Sequence, residues 1–322
     1  MSGPASSARH AARSALTHWR VKALLQKALS SLPRGPQLNY VLQRRVTHGI
    51  PISEARLRES VDNARAHLDA FLRHASPPAP VGEAVFYEFG AGWDLHLPLT
   101  LFGLGVRHQV VVDRTPHTRA DLVDDVVARL SSTTALDDGE RAGIRHAAAG
   151  TAATTDVGGK VSAFGITYRA PADAGATGLA DASVDCVTST STFEHIPRKD
   201  IGPVLVECRR ILRPGGVASF LIDYSDHYSH LDHSITPYNF LGYPERRWRL
   251  FNSSLQFQNR LRHSQYLAMF GEAGFDVVED RPTVSDAGVA ALRSVRLDPS
   301  FARFDERDLA ATGAHVVLRP RS

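Results

Sequence analysis

Short apolar segments alternate with helical segments from residue 84 onward, and this alternation restricts the chain to few fold classes. Strands that are separated by helices pair in parallel, and the helices then cover both faces of the sheet. The sequence therefore predicts an α/β fold, and 322 residues are enough to bury a large core. The strand candidates are AVFYEFG, HQVVVDR, FGITYRA, VDCVTSTS, GVASFLIDY, FDVVEDR and AHVVLRP.

The N-terminal part is basic, although the whole chain has a formal net charge of only +3. Residues 1–50 contain eight Lys or Arg and no Asp or Glu, so the remaining 29 basic and 34 acidic residues sum to −5. Apolar residues recur in this arm at helical spacing, which predicts an amphipathic helix. They are Val21, Leu24, Leu25, Ala28, Leu29 and Leu32.

Three interpretations of this basic helix remain open. It docks on the main domain or on a second subunit, it lies on an anionic membrane, or it is part of a transit peptide. We favour docking, because any surface helix shows the pattern. The transit peptide ranks last, because the excess of arginine over lysine is typical of a GC-rich bacterium.

The composition also predicts the domain organisation and the compartment. A second helix begins after Ser53, a plausible N-cap, and ends before the Pro-rich linker ASPPAPVG. We therefore predict a basic arm with a helical extension over 1–78 and a main domain over 79–322, in which about residues 223–262 form an acceptor loop or cap. The only cysteines, Cys186 and Cys208, lack the spacing of a zinc site or a disulfide framework. Because no apolar stretch approaches the roughly 20 residues of a membrane span, we expect a cytoplasmic protein.

The first strand ends in YEFGAGWD, which places Glu88 before two glycines, Gly90 and Gly92. Glycines at this point allow a sharp turn and a close approach of backbone to ligand. The second strand ends in Asp113, whose carboxylate can accept hydrogen bonds from ribose hydroxyls. Asp94 stands where a dinucleotide fingerprint has its third glycine, and a carboxylate there would repel a pyrophosphate. The pattern thus favours a nucleoside cofactor without phosphate.

At this level the chain resembles the class I S-adenosylmethionine-dependent methyltransferases. The resemblance covers about residues 81–282 and rests on FYEFGAGWD, DAGATGLADASVDCV, STFEHIPRKDIGPVLVECRRILRPGG and HSQYLAMFGEAGFDVVED. It implies a Rossmann-like sheet of seven strands, mostly parallel with the last strand antiparallel, and S-adenosylmethionine as the cofactor. The residues that match the acidic motif before the fourth strand are Asp173, Ala174, Asp181, Ser183 and Asp185.

The resemblance also implies roles for individual residues. Glu88 and the backbone of Gly90, Ala91 and Gly92 would hold the amino-acid end of the cofactor. Asp113 would bind the ribose, and Asp173 with Ala174 would meet the adenine. Asp185 is expected to orient the strand rather than to bind the cofactor.

The segment DYSDHYSHLDHS, residues 223–234, follows the fifth strand at the edge of the sheet where ligands bind. Histidine is the commonest base near neutral pH, and a carboxylate beside it fixes the tautomer. We therefore predict that His227 with Asp226, or His230 with Asp232, deprotonates the acceptor.

Two other interpretations of this loop remain open. The first is a divalent metal site, but the spacing fits no strong metal signature, so no metal ligand is assigned. The second is a loop of solvating and capping side chains. We also expect Glu194, His195, Tyr224 and Tyr238 to contact the acceptor, with His195 as a second candidate base. The aromatic segment of about 238–251 is either a cap over the acceptor or a small core of its own.

These features predict a methyltransferase that acts on a small polar molecule, most simply on a hydroxyl. A finer resemblance, to methyltransferases near sugar and polysaccharide biosynthesis genes, suggests a sugar-like or natural-product-like acceptor. Methylation of nucleic acid is the alternative that the basic arm suggests, but the chain has no NPPY-like tetrapeptide and no Pro-Cys pair. A member of the fold that binds without methylating is a third hypothesis.

Overall fold

The structure is a computed structural model that describes residues 18–33, 37–38, 40–41, 44, 50–151 and 154–321. The first seventeen residues of the predicted basic arm lie outside the described residues. No helix in the described ranges is long and apolar enough to cross a bilayer.

Seven strands form one sheet in the order β3-β2-β1-β4-β5-β7-β6. Strands β1 to β5 pair in parallel, and β7 runs antiparallel to its neighbours β5 and β6. This topology confirms the predicted α/β fold with one reversed strand. The strands are β1 (Val85–Phe89), β2 (His108–Val112), β3 (Ile166–Arg169), β4 (Val184–Thr190), β5 (Leu212–Asp223), β6 (Phe275–Thr283) and β7 (Gly313–Pro320).

Helices pack on both faces of the sheet, which explains why the strands are apolar on both sides. Phe86 belongs to a core beneath α2, whereas the next residue, Tyr87, belongs to a core with α7 and α9. The helices are α1 (Trp19–Ser30), α2 (Glu54–His74), α3 (His96–Gly103), α4 (Ala120–Leu130), α5 (Asp138–Ala149), α6 (Val157–Ser162), α7 (Arg198–Ile211), α8 (Glu245–Phe251), α9 (His263–Glu272), α10 (Asp286–Arg293) and α11 (Glu306–Ala310).

The helical extension, α2, is fixed to the sheet. Ser53 is its N-cap, as predicted, and the Ser53 hydroxyl accepts a hydrogen bond from the backbone N–H of Arg56 at 3.3 Å. Near its other end, His67 is fully buried and contacts the hydroxyls of Ser219 and Thr190, each at 2.8 Å. This polar bridge joins α2 to β4 and β5.

The amphipathic helix α1 is present, but it packs on a different face from the predicted one. Its buried residues are Trp19, Ala23 and Gln26, whereas the predicted apolar stripe is largely exposed. The exposed members of that stripe are Val21, Leu24, Leu25, Ala28 and Leu32. Trp19 decides the orientation, because this large ring is 2% exposed and contacts other aromatic rings.

Helix α1 docks on a second, smaller core that lies beside the end of β5. We call it the satellite core. It contains Trp19, Ala23, Tyr228, Tyr238, Phe240, Leu241, Trp248, Leu292, Phe301, Leu309 and Ala310. Residues of the aromatic segment of about 238–251 therefore pack into a core of their own, and a cap over the acceptor remains a prediction.

Candidate active site

The loop after β1, residues 90–95, contains two positions with a backbone that only glycine adopts at little cost. Gly90 has φ of 90°, and a side chain there would collide with Thr192. Gly92 has φ of 69°, and no atom of the described residues lies within 4 Å of the position that its Cβ would take. The loop thus leaves open space beside its backbone at the carboxyl edge of the sheet. We call it the cofactor loop.

Glu88 is a buried carboxyl group next to the cofactor loop. It is 5% exposed, and its Oε2 has no hydrogen-bond partner among the described residues. Burial, assisted by the nearby charge of Asp113, raises the pKa of Glu88 to about 8. Leaving such a group unpaired costs about 1–3 kcal/mol or more, and groups of this kind cluster at functional sites.

Asp113 connects the end of β2 to the cofactor loop. Its Oδ2 accepts a hydrogen bond from the backbone N–H of Gly92 at 3.3 Å, and its Oδ1 accepts one from Thr115 at 2.9 Å. Burial raises the pKa of Asp113, although these backbone hydrogen bonds oppose the shift. The carboxylate therefore fixes the loop and lies beside Gly92, where the sequence placed it.

The segment after β3 reaches the same edge. The backbone N–H of Ala172 donates to the carbonyl of Asp113 at 2.8 Å, which brings Asp173 and Ala174 next to the end of β2. Asp173 is exposed and accepts a hydrogen bond from the backbone N–H of Gly175 at 2.8 Å. Ala174 is half-buried against the core. The predicted cofactor residues of β1, β2 and the β3 loop thus lie along one edge.

Two of the acidic residues in these motifs have local structural partners. Asp94 accepts hydrogen bonds from the ring Nδ1 and the backbone N–H of His96 at 2.6 and 3.3 Å, so it caps the start of α3. Asp185 accepts a hydrogen bond from the backbone N–H of Val85 at 2.8 Å and pairs with Arg213 at 2.7 Å. Asp185 therefore holds β1 against β4, which agrees with its predicted structural role.

An aromatic stack covers one side of the cofactor loop, and no sequence pattern indicated it. Trp93 stacks on Tyr40 at 5.2 Å and on His117 at 4.7 Å between ring centroids. The guanidinium of Arg119 lies 4.5 Å from the centre of the Tyr40 ring. Tyr40 belongs to the basic arm, so a residue of the arm lies against the loop.

A second group of polar side chains gathers where β4 and β5 end. The turn Phe193–His195 follows β4, Asp223 ends β5, and the turn His227–His230 comes shortly after it. Because β4 and β5 are neighbours in the sheet, these turns meet at its carboxyl edge. We call this group the acceptor cluster: Glu194, His195, Asp223, His227 and His230.

The side chains of the acceptor cluster are in contact. The Nε2 atom of His227 lies 3.2 Å from Asp223 Oδ2 and 3.9 Å from Glu194 Oε1. The ring of His227 lies 5.0 Å from that of His195 and stacks on His230 at 5.4 Å. The Nδ1–H of His195 donates to the carbonyl of Phe257 at 2.6 Å. His195 therefore has its Nε2 lone pair available when the ring is neutral.

Glu194 has the least compensated environment in this cluster. It is 1% exposed, and neither carboxylate oxygen has a hydrogen-bond partner in the part of the chain that the structure describes. Burial raises the pKa of Glu194 to about 8, although the charge of His227 and the nearby backbone N–H groups of Glu194 and Asp223 oppose the shift. A buried, unpartnered carboxyl group at a ligand-binding edge indicates a position prepared for a ligand.

The two histidines nearest to Glu194 have opposite pKa shifts. Burial lowers the pKa of His227, but the hydrogen bond and the charge of Asp223 outweigh this effect and raise it. Desolvation lowers the pKa of His195, although the residue is partly open to solvent, and the charge of His227 lowers it further. The neutral imidazole of His195 thus lies beside the imidazole of His227, which favours its protonated form.

The carboxylate partners predicted for the two bases are wrong. Asp226 is fully buried, and its oxygens accept hydrogen bonds from the backbone N–H of Tyr228 and from the amide of Asn239, both at 2.9 Å. Asp223 holds His227 instead. The side chains of the consecutive residues Asp226 and His227 point in different directions, whereas Asp223 and His227 face each other across the turn.

The predicted partner of His230 is likewise occupied elsewhere. Asp232 accepts hydrogen bonds from Ser234 and from the backbone N–H of Trp19 at the start of α1. His230 contacts the hydroxyl of Ser225 at 3.2 Å. Asp232 therefore anchors the N-terminal helix.

The two tyrosines that were predicted to contact the acceptor lie in the interior of the protein. Tyr224 is 2% exposed, stacks on Tyr266, and contacts Nδ1 of His263 through its hydroxyl at 3.1 Å. Tyr238 is 1% exposed, and its hydroxyl donates to the carbonyl of Ala310 at 2.9 Å. Both hydroxyls are thus used inside the protein, whereas Glu194 and His195 lie in the acceptor cluster.

The cofactor loop and the acceptor cluster meet at the turn after β4. Thr192 packs against Gly90 so closely that no Cβ fits between them. The ring of Phe193 lies 5.3 Å from that of Phe89, the last residue of β1. Glu194 and His195 follow directly on this contact, so the two groups of residues form one continuous edge.

A family model described as a methyltransferase domain matches residues 147–220. No curated protein matches the chain.

Many solved structures are similar to the chain at low sequence identity. A structure of the Haloferax volcanii Trm112 methyltransferase activator with a methyltransferase has 18% identity over 83% of this chain and 94% of that chain, with a TM-score of 0.44. The Burkholderia thailandensis 1,6-didemethyltoxoflavin-N1-methyltransferase has 13% identity over 89% and 87%, with a TM-score of 0.45. The mitomycin 7-O-methyltransferase has 13% identity over 99% and 74%, with a TM-score of 0.43. These similarities are too distant to indicate an acceptor.

Proposed function

We propose that the chain is a class I S-adenosylmethionine-dependent methyltransferase and that it transfers the methyl group to a hydroxyl of a small polar molecule. The methyltransferase-domain model that matches residues 147–220 supports the first part of the proposal. The observation that carries the proposal is the acceptor cluster. Its buried carboxyl group and its imidazoles lie beside the cofactor loop, where an acceptor hydroxyl can be bound and deprotonated.

The cofactor loop and the residues beside it fit the methyl donor. In the proposal, the unpartnered carboxylate of Glu88 accepts the ammonium group of the donor, and the open space at Gly92 admits its amino-acid end. Asp113 accepts hydrogen bonds from the ribose, and Asp173 with Ala174 lies beside the adenine. When bound, the donor supplies an electrophilic methyl group on a sulfonium.

The acceptor cluster supplies binding and proton transfer. Glu194 can accept hydrogen bonds from hydroxyl groups of the acceptor, because its two buried oxygens have no partner among the described residues. Alignment of the acceptor oxygen with the methyl group supplies much of the rate. A loop imidazole, His227 or His230, takes the hydroxyl proton, and Asp223 orients His227. An acceptor with several hydroxyls, such as a sugar or a polyol-like natural product, matches this polar surface.

A methyl-transfer experiment tests the proposal. The purified protein is incubated with isotopically labelled donor and with fractions of a cell extract, and mass spectrometry follows the gain of one labelled methyl group. We expect an O-methylated small molecule. His227→Ala and His230→Ala are compared with His233→Ala, an exposed histidine of the same loop. Loss of turnover is expected in at least one of the first two variants and not in the third.

Two results would overturn the proposal. Label that appears only in RNA or DNA would favour the nucleic-acid hypothesis. Donor binding without transfer to any component would favour a binding member of the fold.

A further inference from the structure

We infer that Glu194, His195 and His227 form a binding site for one divalent transition-metal ion. One potential ligand atom from each of these side chains lies within 4.8 Å of the other two. The sequence did not indicate this site, because its three residues come from two different loops and have no regular spacing. The binding of the ion does not depend on the proposed function, whereas the role of the ion toward the acceptor rests on it.

Glu194 is the first reason for the inference. It is 1% exposed, and both of its oxygens are buried with no hydrogen-bond partner in the described ranges. A buried charge is retained when it is paired or coordinates a metal. The nearest cationic group is His227, and its Nε2 lies 3.9 Å from Oε1, beyond hydrogen-bond distance.

The orientation of His195 is the second reason. Outside the trio, the carbonyl of Phe257 accepts the Nδ1–H of His195 at 2.6 Å, so Nε2 of that ring is the free nitrogen. Metal-binding histidines are held in this way by a carbonyl or a carboxylate on the other ring nitrogen, which fixes the tautomer and the ring orientation. In His227 one nitrogen, Nε2, lies 3.2 Å from Asp223 Oδ2 and 3.9 Å from Glu194 Oε1, so an ion bound at this nitrogen would replace the contact with Asp223.

The chemistry of the ligands selects the class of ion. Two imidazole nitrogens with one carboxylate suit zinc, iron, nickel, cobalt or manganese better than magnesium or calcium, which prefer oxygen ligands alone. Bonds of about 2.0–2.2 Å are shorter than the present separations allow, so binding draws the three side chains together. Three protein ligands leave positions for the acceptor.

The ion would then bind the oxygen that receives the methyl group. A bound divalent ion lowers the pKa of a coordinated hydroxyl. The hydroxyl proton passes to His230, which stacks on His227 but is not one of the ligands. The acceptor oxygen forms a bond with the methyl carbon as the sulfur–methyl bond breaks, and S-adenosylhomocysteine leaves. In this arrangement His227 is a ligand, and His230 remains as the loop base.

Cobalt binding tests the inference without any turnover. The full-length protein is stripped with a chelator and titrated with Co²⁺, and both the visible absorption of the bound ion and the heat of binding are recorded. We expect saturation at one ion per chain and a spectrum of mixed nitrogen and oxygen ligands. Glu194→Gln and His195→Ala should each weaken binding by at least about tenfold. The matched control His233→Ala should bind as the wild type does.

Several results would overturn the inference. One is the absence of saturable binding, and another is equal affinity in the wild type and in Glu194→Gln when circular dichroism shows both to be folded. Full methyl transfer by the stripped protein would overturn the role of the ion toward the acceptor, while leaving the proposed function intact. Conversely, one bound ion without methylation of any hydroxyl would leave the metal site intact and refute the proposed function.

Discussion

Replacement of Glu88 by Gln separates a cofactor-binding role from a structural one. The carboxyl group is 5% exposed, and its Oε2 has no hydrogen-bond partner among the described residues. If Glu88 binds the ammonium group of the donor, Gln removes a charge-assisted hydrogen bond. Such bonds contribute about 1.5–3 kcal/mol, which corresponds to about a 10- to 150-fold weaker affinity.

The stability of the free protein should change in the opposite direction. Burial raises the pKa of Glu88 from 4.5 to about 8, so the folded state is most stable with this group protonated. The contribution of the protonated Glu88 side chain to stability is fully present below pH 4.5 and is lost as the pH rises toward 8. At pH 7.5 the raised pKa of Glu88 lowers the free energy of unfolding by about 4 kcal/mol, because each unit of pKa shift is a difference in stability between the two protonation states. We expect Glu88→Gln without ligand to be at least as stable as the wild type.

Calorimetry with S-adenosylhomocysteine and thermal unfolding without ligand measure the two quantities. The matched control is Glu83→Gln, an exposed glutamate just before β1, which should change neither. Unchanged affinity in Glu88→Gln would refute the cofactor role. A large loss of stability without ligand would show that Glu88 is a structural group.

Three further predictions concern other parts of the molecule. Gly90→Ala should weaken S-adenosylhomocysteine binding at least tenfold and cost about 1–3 kcal/mol of stability, because φ is 90° and the Cβ meets Thr192. The control is Gly202→Ala in α7, where the added Cβ has no atom of the described ranges within 4 Å, and equal effects of the two substitutions would contradict the reasoning. Burial lowers the pKa of His67 to about 3, so the stabilising contribution of the neutral ring is lost as the pH falls through 6.5. Between pH 7.5 and 5.5 the free energy of unfolding of the wild type should fall by about 1.4 kcal/mol relative to that of His67→Gln. Parallel pH profiles of the two proteins in urea unfolding would refute this. Trp248→Ala should cost about 3–5 kcal/mol because the ring is 1% exposed in the satellite core, whereas Leu250→Ala, at a side chain 59% exposed on the same helix, should be nearly neutral in the same assay.

The sequence by itself determined the elements whose signals are local. Alternation of apolar and helical segments indicated the strands, because a strand covered on both faces is apolar throughout. The glycines after β1 and Asp113 after β2 were found from short motifs, because a tight turn beside a strand end requires those residue types. These predictions needed no knowledge of distant contacts.

Only the tertiary structure decided which side chains meet. Neighbouring strands β4 and β5 bring Glu194 and His195 to His227 across more than thirty residues of sequence. The turn after β5 selects Asp223 rather than Asp226 as the partner of His227, because backbone geometry and not sequence proximity sets the direction of a side chain. Trp19 likewise decides which face of α1 is buried, since the apolar stripe of a helix does not reveal where the complementary surface lies.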